Sequence, residues 1–349
     1  MSRAPRKPSA KRSGARRSPP PRRRLPALAG LLALAAIAAA GGFAWTVFGP
    51  GPGPKEGGTE TTVILKHGSS LPQVAQTLAD SGVIRLPFVF GALAKLTGGG
   101  AHLRAGEYAV PARASAWDIL AMIRAGRIVH HYITIPEGLS SVQVADLLNA
   151  NPVLSGQAPM AEEGWIMPQT YDAERGEDRA ALVAEMVAAQ KKLVARLWAD
   201  RKPGLPYKTP EQALTMASIV EKETSVPAER AHVAGVYLNR LTKGIRLEAD
   251  PTLIYGITQG RPLGRSLTHA DVTEPGPFNS YLNPGLPPTP IANPGRAAIE
   301  AALDPLATQD LYFVADGSGG HAFAQTYEQH QKNVIRWRGI AESLKGDKR

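Results

Sequence analysis

TPEQALTMASIVEKET, running from Thr209 to Thr224, is the stretch on which the folded part of this 349-residue chain turns. Thr209-Pro210-Glu211-Gln212 reads as a helix start, with Thr as N-cap, Pro in the first position and Gln completing a capping box. Ala213 to Val220 then gives eight residues without a charge. A helix that is apolar on every face is buried on every face. It runs into Glu221-Lys222-Glu223. At about 100° per residue, Glu221 falls on the face of Leu214, Ala217 and Ser218, and Glu223 lies roughly 200° away. One of these carboxyls therefore emerges beside apolar surface, where desolvation favours the protonated form that a general acid needs. A blander reading stays open. Ser218-x-x-Glu221 also matches a capping box, and Lys222 and Glu223 then form a solvated helix end. Because Thr209 already supplies a start, Ser218 is interior and this reading loses force.

Downstream, Asp250-Pro251 reads first as an N-cap with Pro at the first helical position, leading through Thr252 to Tyr255. Gly285 to Gly295 contains Pro287, Pro288, Pro290 and Pro294 and is a rigid loop; with Asn279, Tyr281 and Asn293 nearby it could line a ligand groove. Leu311 to Asp316 and His321 to Thr326, separated by Gly317-Ser-Gly-Gly320, predict a β-hairpin. His321 either finishes that hairpin or faces the groove.

Upstream of the breaker-rich segment Asp200 to Pro206, a helix is expected from Ala180 to Trp198. Before it, Gly106 to Val110 suits a strand and Trp117 to Arg124 a helix. An ungapped internal repeat precedes and follows these: Val63-Ile-Leu-Lys-His-Gly68 with SSLPQVAQTL, and Ile133-Thr-Ile-Pro-Glu-Gly138 with LSSVQVADLL. Gly68 pairs with Gly138, Gln73 with Gln143, and Leu78 with Leu148. Each copy reads as a strand, a glycine turn and an amphipathic helix, although two ordinary strand–helix units sharing turn chemistry would look the same.

The net charge of +10 invites a nucleic-acid reading. Its location removes that reading. Ten basic residues lie in positions 1–24, the first acid is Glu56, and the rest of the chain carries thirty basic and thirty acidic residues. From Leu25 to Phe48 there are 24 uncharged residues, spanning roughly 36 Å as a helix against a hydrocarbon core of about 30 Å. The positive-inside rule keeps the basic tail cytoplasmic and sends the remainder outside, with Trp45 as an interfacial anchor. The alternative, a signal peptide cleaved near Ala38-Ala39-Ala40, conflicts with the length of the apolar run. Gly49 to Gly58 is expected as a solvated Gly/Pro spacer. There is no cysteine, which makes the fold independent of redox state, and no HExxH pairing among eight histidines, so neither a metal nor another cofactor is expected.

The run Ala217 to Thr224 resembles the signature of the endolytic murein transglycosylase (YceG-like) family. Further blocks follow in that family's order: Tyr237-Leu-Asn-Arg-Leu241, Asp250 to Gly256, Asn279-Ser-Tyr281, Gly285-Leu-Pro-Pro288, Ile291 to Gly295 and Leu311 to His321, with Glu163 to Tyr171 upstream. In that upstream block the family usually has Asp after the Pro, where this chain has Gln169, so no acid acts from that spot. The resemblance implies cleavage of the MurNAc–GlcNAc β-1,4 bond of peptidoglycan without water, closing a 1,6-anhydro ring. It places the acid/base at Glu221 and assigns no comparable role to Glu223. Apart from the resemblance, the residues near the rigid loop and hairpin, Asn279, Tyr281, Asn293, Tyr255 and His321, are the ones expected to bind sugar. The first repeat also resembles the start of a LysM-type module. The expected fold is α+β. It comprises a basic cytoplasmic tail (1–24), a transmembrane helix (25–48), a linker (49–58), a LysM-like subdomain (59–158) and a mixed α+β catalytic domain (159–343). The expected place is the cell inner membrane, single-pass with the catalytic domain outside, and the expected partners are glycan strands, the bilayer and peptidoglycan synthases. Two rivals remain: a lysozyme-like hydrolase using Glu221 with a second acid such as Asp250, and a non-catalytic murein-binding scaffold.

Overall fold

The computed structural model describes Met1 and residues 25–53, 58–98 and 103–346. The basic tail lies outside the described residues, as do positions 54–57 of the linker. The chain is mixed α+β and divides into two compact units, Met1–Arg127 and Ile128–Arg349.

The first unit opens with helix α1, Leu25–Phe48, the extent expected from composition. Its segment Leu28–Phe48 has a mean hydropathy of 2.0 and is long and apolar enough to cross a membrane. Strand β1 (Glu60–Leu65), helices α2 (Leu71–Asp80) and α3 (Pro87–Leu96), strand β2 (Gly106–Pro111) and helix α4 (Ala116–Ala125) follow. The two strands pair antiparallel, Val63 opposite Tyr108. Val63, Leu65, Val74, Leu78, Phe90, Leu93, Tyr108 and Ile119 form the core between sheet and helices. The expected spacer is not free over Gly49–Gly53. Gly51 N–H donates to Arg113 O at 3.0 Å, and a Cβ at Gly51 would meet Ala114 O at 2.4 Å. A glycine there lets the chain dock instead of dangling.

The second unit holds β3 (His131–Thr134), α5 (Ser141–Ala150), β4 (Thr170–Ala173), α6 (Arg179–Ala199), α7 (Pro210–Glu223), α8 (Arg230–Thr242), α9 (Asp250–Thr258), α10 (His269–Thr273), α11 (Arg296–Leu303), β5 (Tyr312–Ala315), β6 (His321–Ala324) and α12 (Tyr327–Gly346). Strand β3 pairs antiparallel with β4, and β5 with β6 as the expected hairpin. One core gathers Ile133, Ile135, Val144, Leu148, Tyr171, Leu182 and Met186. The other surrounds α7, where Ala213 through Val220 are all buried, packed on α6, α8, α9 and α11.

The repeat is real as local geometry. Gly68 and Gly138 share a φ of 75°. Ser70 and Ser140 cap ten-residue helices with capping boxes to Gln73 and Gln143, and Val74, Ala75 and Leu78 are buried as are Val144, Ala145 and Leu148. The copies differ in what their strands pair with, and they lie in different units.

Candidate active site

Helix α7 begins as its sequence requires: the Thr209 side chain accepts from Gln212 N–H. Gln212 does not close the box on Thr209; its Oε1 accepts from Lys208 N–H at 2.7 Å, one residue earlier. Inside the buried length, Ser218 Oγ donates to Thr215 O at 2.7 Å and accepts from Ile291 N–H at 3.0 Å. One hydroxyl in an apolar helix thus fixes the Ile291–Gly295 segment beside the helix end. That segment is tied a second time, to the glycine turn of the repeat: Gly138 N–H donates to Asn293 O at 2.9 Å and Asn293 N–H to Leu139 O at 2.8 Å.

Glu221 emerges into this corner. Its Oε2 accepts from Gly295 N–H at 2.9 Å. Its Oε1 lies 3.7 Å from Arg230 Nη2, and the side chain is only 6% exposed. The same Nη2 is 3.8 Å from Glu137, whose side chain is half-exposed. A Cβ on Gly295 would overlap the Glu137 carboxyl, at 1.8 Å from Oε1. Burial raises the pKa of Glu221, against the Gly295 hydrogen bond; neighbouring Glu137 adds to the rise while Arg230 and Lys222 oppose it.

Glu223, the last residue of α7, is only partly exposed, and its carboxyl is not left to solvent alone. Tyr237, buried on α8, donates its hydroxyl to Glu223 Oε1. Burial pushes the Glu223 carboxyl up to about 7; Tyr237 and His321 work against that rise, and Asp250 adds to it. Around this carboxyl, Tyr281 OH donates to Asp250 Oδ1 at 2.5 Å. His321 holds Glu229 twice, through N–H at 2.9 Å and Nδ1 at 2.7 Å. Asp250 is not the N-cap; it sits in the first turn of α9, whose cap is Ala249, which leaves its carboxyl for Tyr281. The two glutamates are some 200° apart as predicted, but α8 and the Asp250 turn enclose the face on which Glu223 was free to be solvated.

The other expected site residues divide in two. Asn279 is buried, its amide nitrogen donating to Val272 O and Glu274 O and its oxygen accepting from Tyr281 N–H. Asn293 is fully buried, accepting from Ile166 N–H and donating to Leu139 O. Both brace loops. Tyr255 lines a cavity of about 410 Å³ together with Gly138, Lys222, Gly260, Leu263 and Ile291, a volume in the range of ligand clefts. Its hydroxyl donates to Glu163 at 3.1 Å. Glu163 is a third partly buried carboxyl whose pKa desolvation raises, and it also accepts from Ser141 N–H at 2.8 Å. Glu137, Glu163, Arg230 and Tyr237 carried no expected role. Glu163 and Tyr237 each open a block that resembles the family, and Glu137 stands immediately before the glycine of the second repeat; Arg230 had no such signal.

The family model described as "YceG-like family" matches residues 63–336. Proteins named endolytic murein transglycosylase are similar over most of this chain. That of Streptococcus pneumoniae (strain R6) is 28% identical over 78% of the chain and 57% of its own length. That of Bacillus subtilis (strain 168) is 27% identical over 80% of the chain and 86% of its own length. The chain thus spans little more than half of the pneumococcal relative. The crystal structure of a yceG-like protein from Listeria monocytogenes superposes with a TM-score of 0.51 at 28% identity, covering 78% of this chain and 98% of that one.

Proposed function

The chain belongs to the YceG-like family, and from that premise we propose that it is a membrane-anchored lytic transglycosylase of peptidoglycan. It cuts the MurNAc–GlcNAc β-1,4 bond within nascent strands. One carboxylic acid protonates the glycosidic oxygen as the C1–O bond breaks. The resulting carboxylate then takes the proton of the MurNAc 6-hydroxyl, whose oxygen bonds to C1 and closes the 1,6-anhydro ring. No water is consumed and the acid ends protonated, ready to repeat. An internal nucleophile removes the need for the second carboxylate of ordinary glycosidases.

The observation that carries this reading is an arrangement at the end of α7: Glu223 accepts from the buried Tyr237 hydroxyl and has Asp250, Tyr281 and His321 for neighbours, and burial pushes its carboxyl up to about 7. A general acid works best with its pKa close to the operating pH. Tyr281 and His321, two residues expected to meet sugar, gather around Glu223 and not around Glu221. Glu221, by contrast, is held by a backbone N–H and faces a guanidinium, contacts that suit a carboxyl positioning the Gly138 turn and the Gly295 loop. The sequence expectation of Glu221 as the acid stands as the second reading, supported by its raised pKa and low exposure. The test of the activity is mass spectrometry of muropeptides released from purified sacculi. Anhydro-MurNAc ends are expected. Reducing ends identify a hydrolase, and absence of any cut identifies a scaffold.

We further propose that α1 crosses the inner membrane with the N-terminus inside, and that the subdomain expected as LysM-like over 59–158 binds glycan through its part within the first unit, which ends at Arg127. A fragment of residues 58–127 is then retained by sacculi. Synthases of the strand being cut are the proposed protein partners.

A further inference from the structure

We infer that helix α3 of the first unit lies on the membrane surface, its exposed apolar stripe seated at the boundary between lipid headgroups and acyl chains. This rests on the reading of α1 as a membrane span. Phe88, Ala92 and Leu96 recur at i, i+4 and i+8 and so share one face of α3. Phe88 is 71% exposed and Leu96 79%, while the opposite face, Val89, Phe90, Leu93 and Ala94, is buried in the core. Large apolar side chains on the solvent side of a ten-residue helix call for a partner.

The partner is identified by what the stripe adjoins. Helix α1 packs against both α3 and α4. Its end is locked into the unit: Val47 is fully buried, Gly51 N–H bonds Arg113 O at 3.0 Å, and Arg85 Nη1 donates to Pro50 O at 3.1 Å. The outer end of α1 carries exposed Phe43, Trp45 and Phe48. Phe48 pairs with Trp117 of α4, ring centroids 5.5 Å apart. Aromatic rings gathered at the end of a span mark the interfacial layer. Helix α3 is therefore held at the level of that layer by direct packing, not at the end of a tether. The segment Val83–Gly98 has no acidic residue and carries Arg85 and Lys95, both exposed, which suits anionic headgroups.

The chain has no cysteine, so single cysteines introduced by Phe88→Cys, Leu96→Cys, Leu34→Cys and Glu328→Cys can each be spin-labelled in the full-length protein. Leu34 lies mid-helix in α1 and Glu328 is exposed on α12. In liposomes containing anionic lipid, the ratio of oxygen to polar nickel-reagent collisions at Phe88 and Leu96 is expected to exceed that at Glu328 by several-fold, approaching Leu34. Ratios equal to that at Glu328 place the stripe in water and overturn the inference. Labels shielded from both reagents show a protein surface covering the stripe, and overturn it too. A water-like value at Leu34 itself would instead remove the membrane span on which the inference rests.

Discussion

At the scale of the residue, the account turns on how two glutamates two positions apart acquire different surroundings. Glu223 has its carboxyl enclosed and its pKa lifted to about 7. The protonated form begins the reaction, so kcat/KM is expected to fall as pH rises through about 7. Folding carries the same linkage with a definite sign. A carboxyl whose pKa is raised by folding stabilises the native state fully below its unfolded value near 4.5 and loses that contribution as pH rises through 7. Tyr237 donates to this carboxyl and favours its ionised form. Tyr237→Phe is therefore expected to move the alkaline limb of the pH–rate profile upward, with a stability loss of about 1 kcal/mol for the hydrogen bond; an unmoved limb would separate Glu223 from the chemistry. A carboxyl beside apolar surface at the end of α7 was legible from eight uncharged residues followed by EKE. Which glutamate is ringed by tyrosine and histidine was not, because Tyr237, Tyr281 and His321 arrive from 14 to 98 positions away and no local period records that.

At the scale of the element, the repeated strand–glycine–helix unit offers an internal control. Gly68 and Gly138 share a φ of 75°, but a Cβ at Gly68 meets nothing within 4 Å whereas one at Gly138 touches Lys222 Cδ and Glu221 Cγ at 3.5 and 3.6 Å. Gly68→Ala and Gly138→Ala are each expected to cost about 1–2 kcal/mol through left-handed backbone strain, measured by denaturant unfolding. Only Gly138→Ala should also lower turnover. Equal activities would disconnect the second repeat from the site. The Gly295 loop gives a paired test: Gly295→Ala drives a methyl into the Glu137 carboxyl, the end of a half-exposed side chain that can swing aside, and is expected to destabilise by about 1 kcal/mol. Glu137→Ala in the same chain should restore most of that, and failure to do so would show that the clash lies elsewhere. The extents of α1, α4 and α6 were legible to within a residue, and the start of α7 from its cap at Thr209; α9 runs three residues past the expected Tyr255. The pairing of β3 with β4 was not legible, since the strands stand 36 positions apart and each has four residues. That pairing, not the repeat, decides that the second copy belongs with the residues around α7.

At the scale of the whole molecule, thirty basic and thirty acidic residues after position 24 turned the reading away from nucleic acid, and an uncharged run of 24 residues turned it toward a membrane. The α+β class followed from hairpin and helix signals; the docking of Gly49–Gly53 onto the first unit did not, because a Gly/Pro run reads alike whether tethered or free. If the proposed orientation holds, protease added to spheroplasts should remove both units and leave a short protected N-terminal fragment; full protection would reverse the topology. The central claim is that one enclosed carboxyl at the end of α7 gives and retrieves the proton, and that it is Glu223. The most direct test is the rate of anhydro-MurNAc end formation from sacculi by Glu223→Gln and Glu221→Gln, with folding checked by circular dichroism. Glu223→Gln keeps the shape but cannot cycle a proton, so its rate should fall by about 10²–10⁴-fold, while Glu221→Gln, still able to accept from Gly295 N–H, should lose about tenfold or less. A folded Glu223→Gln that still forms anhydro ends, beside an inactive Glu221→Gln, would contradict the account and return the acid to Glu221.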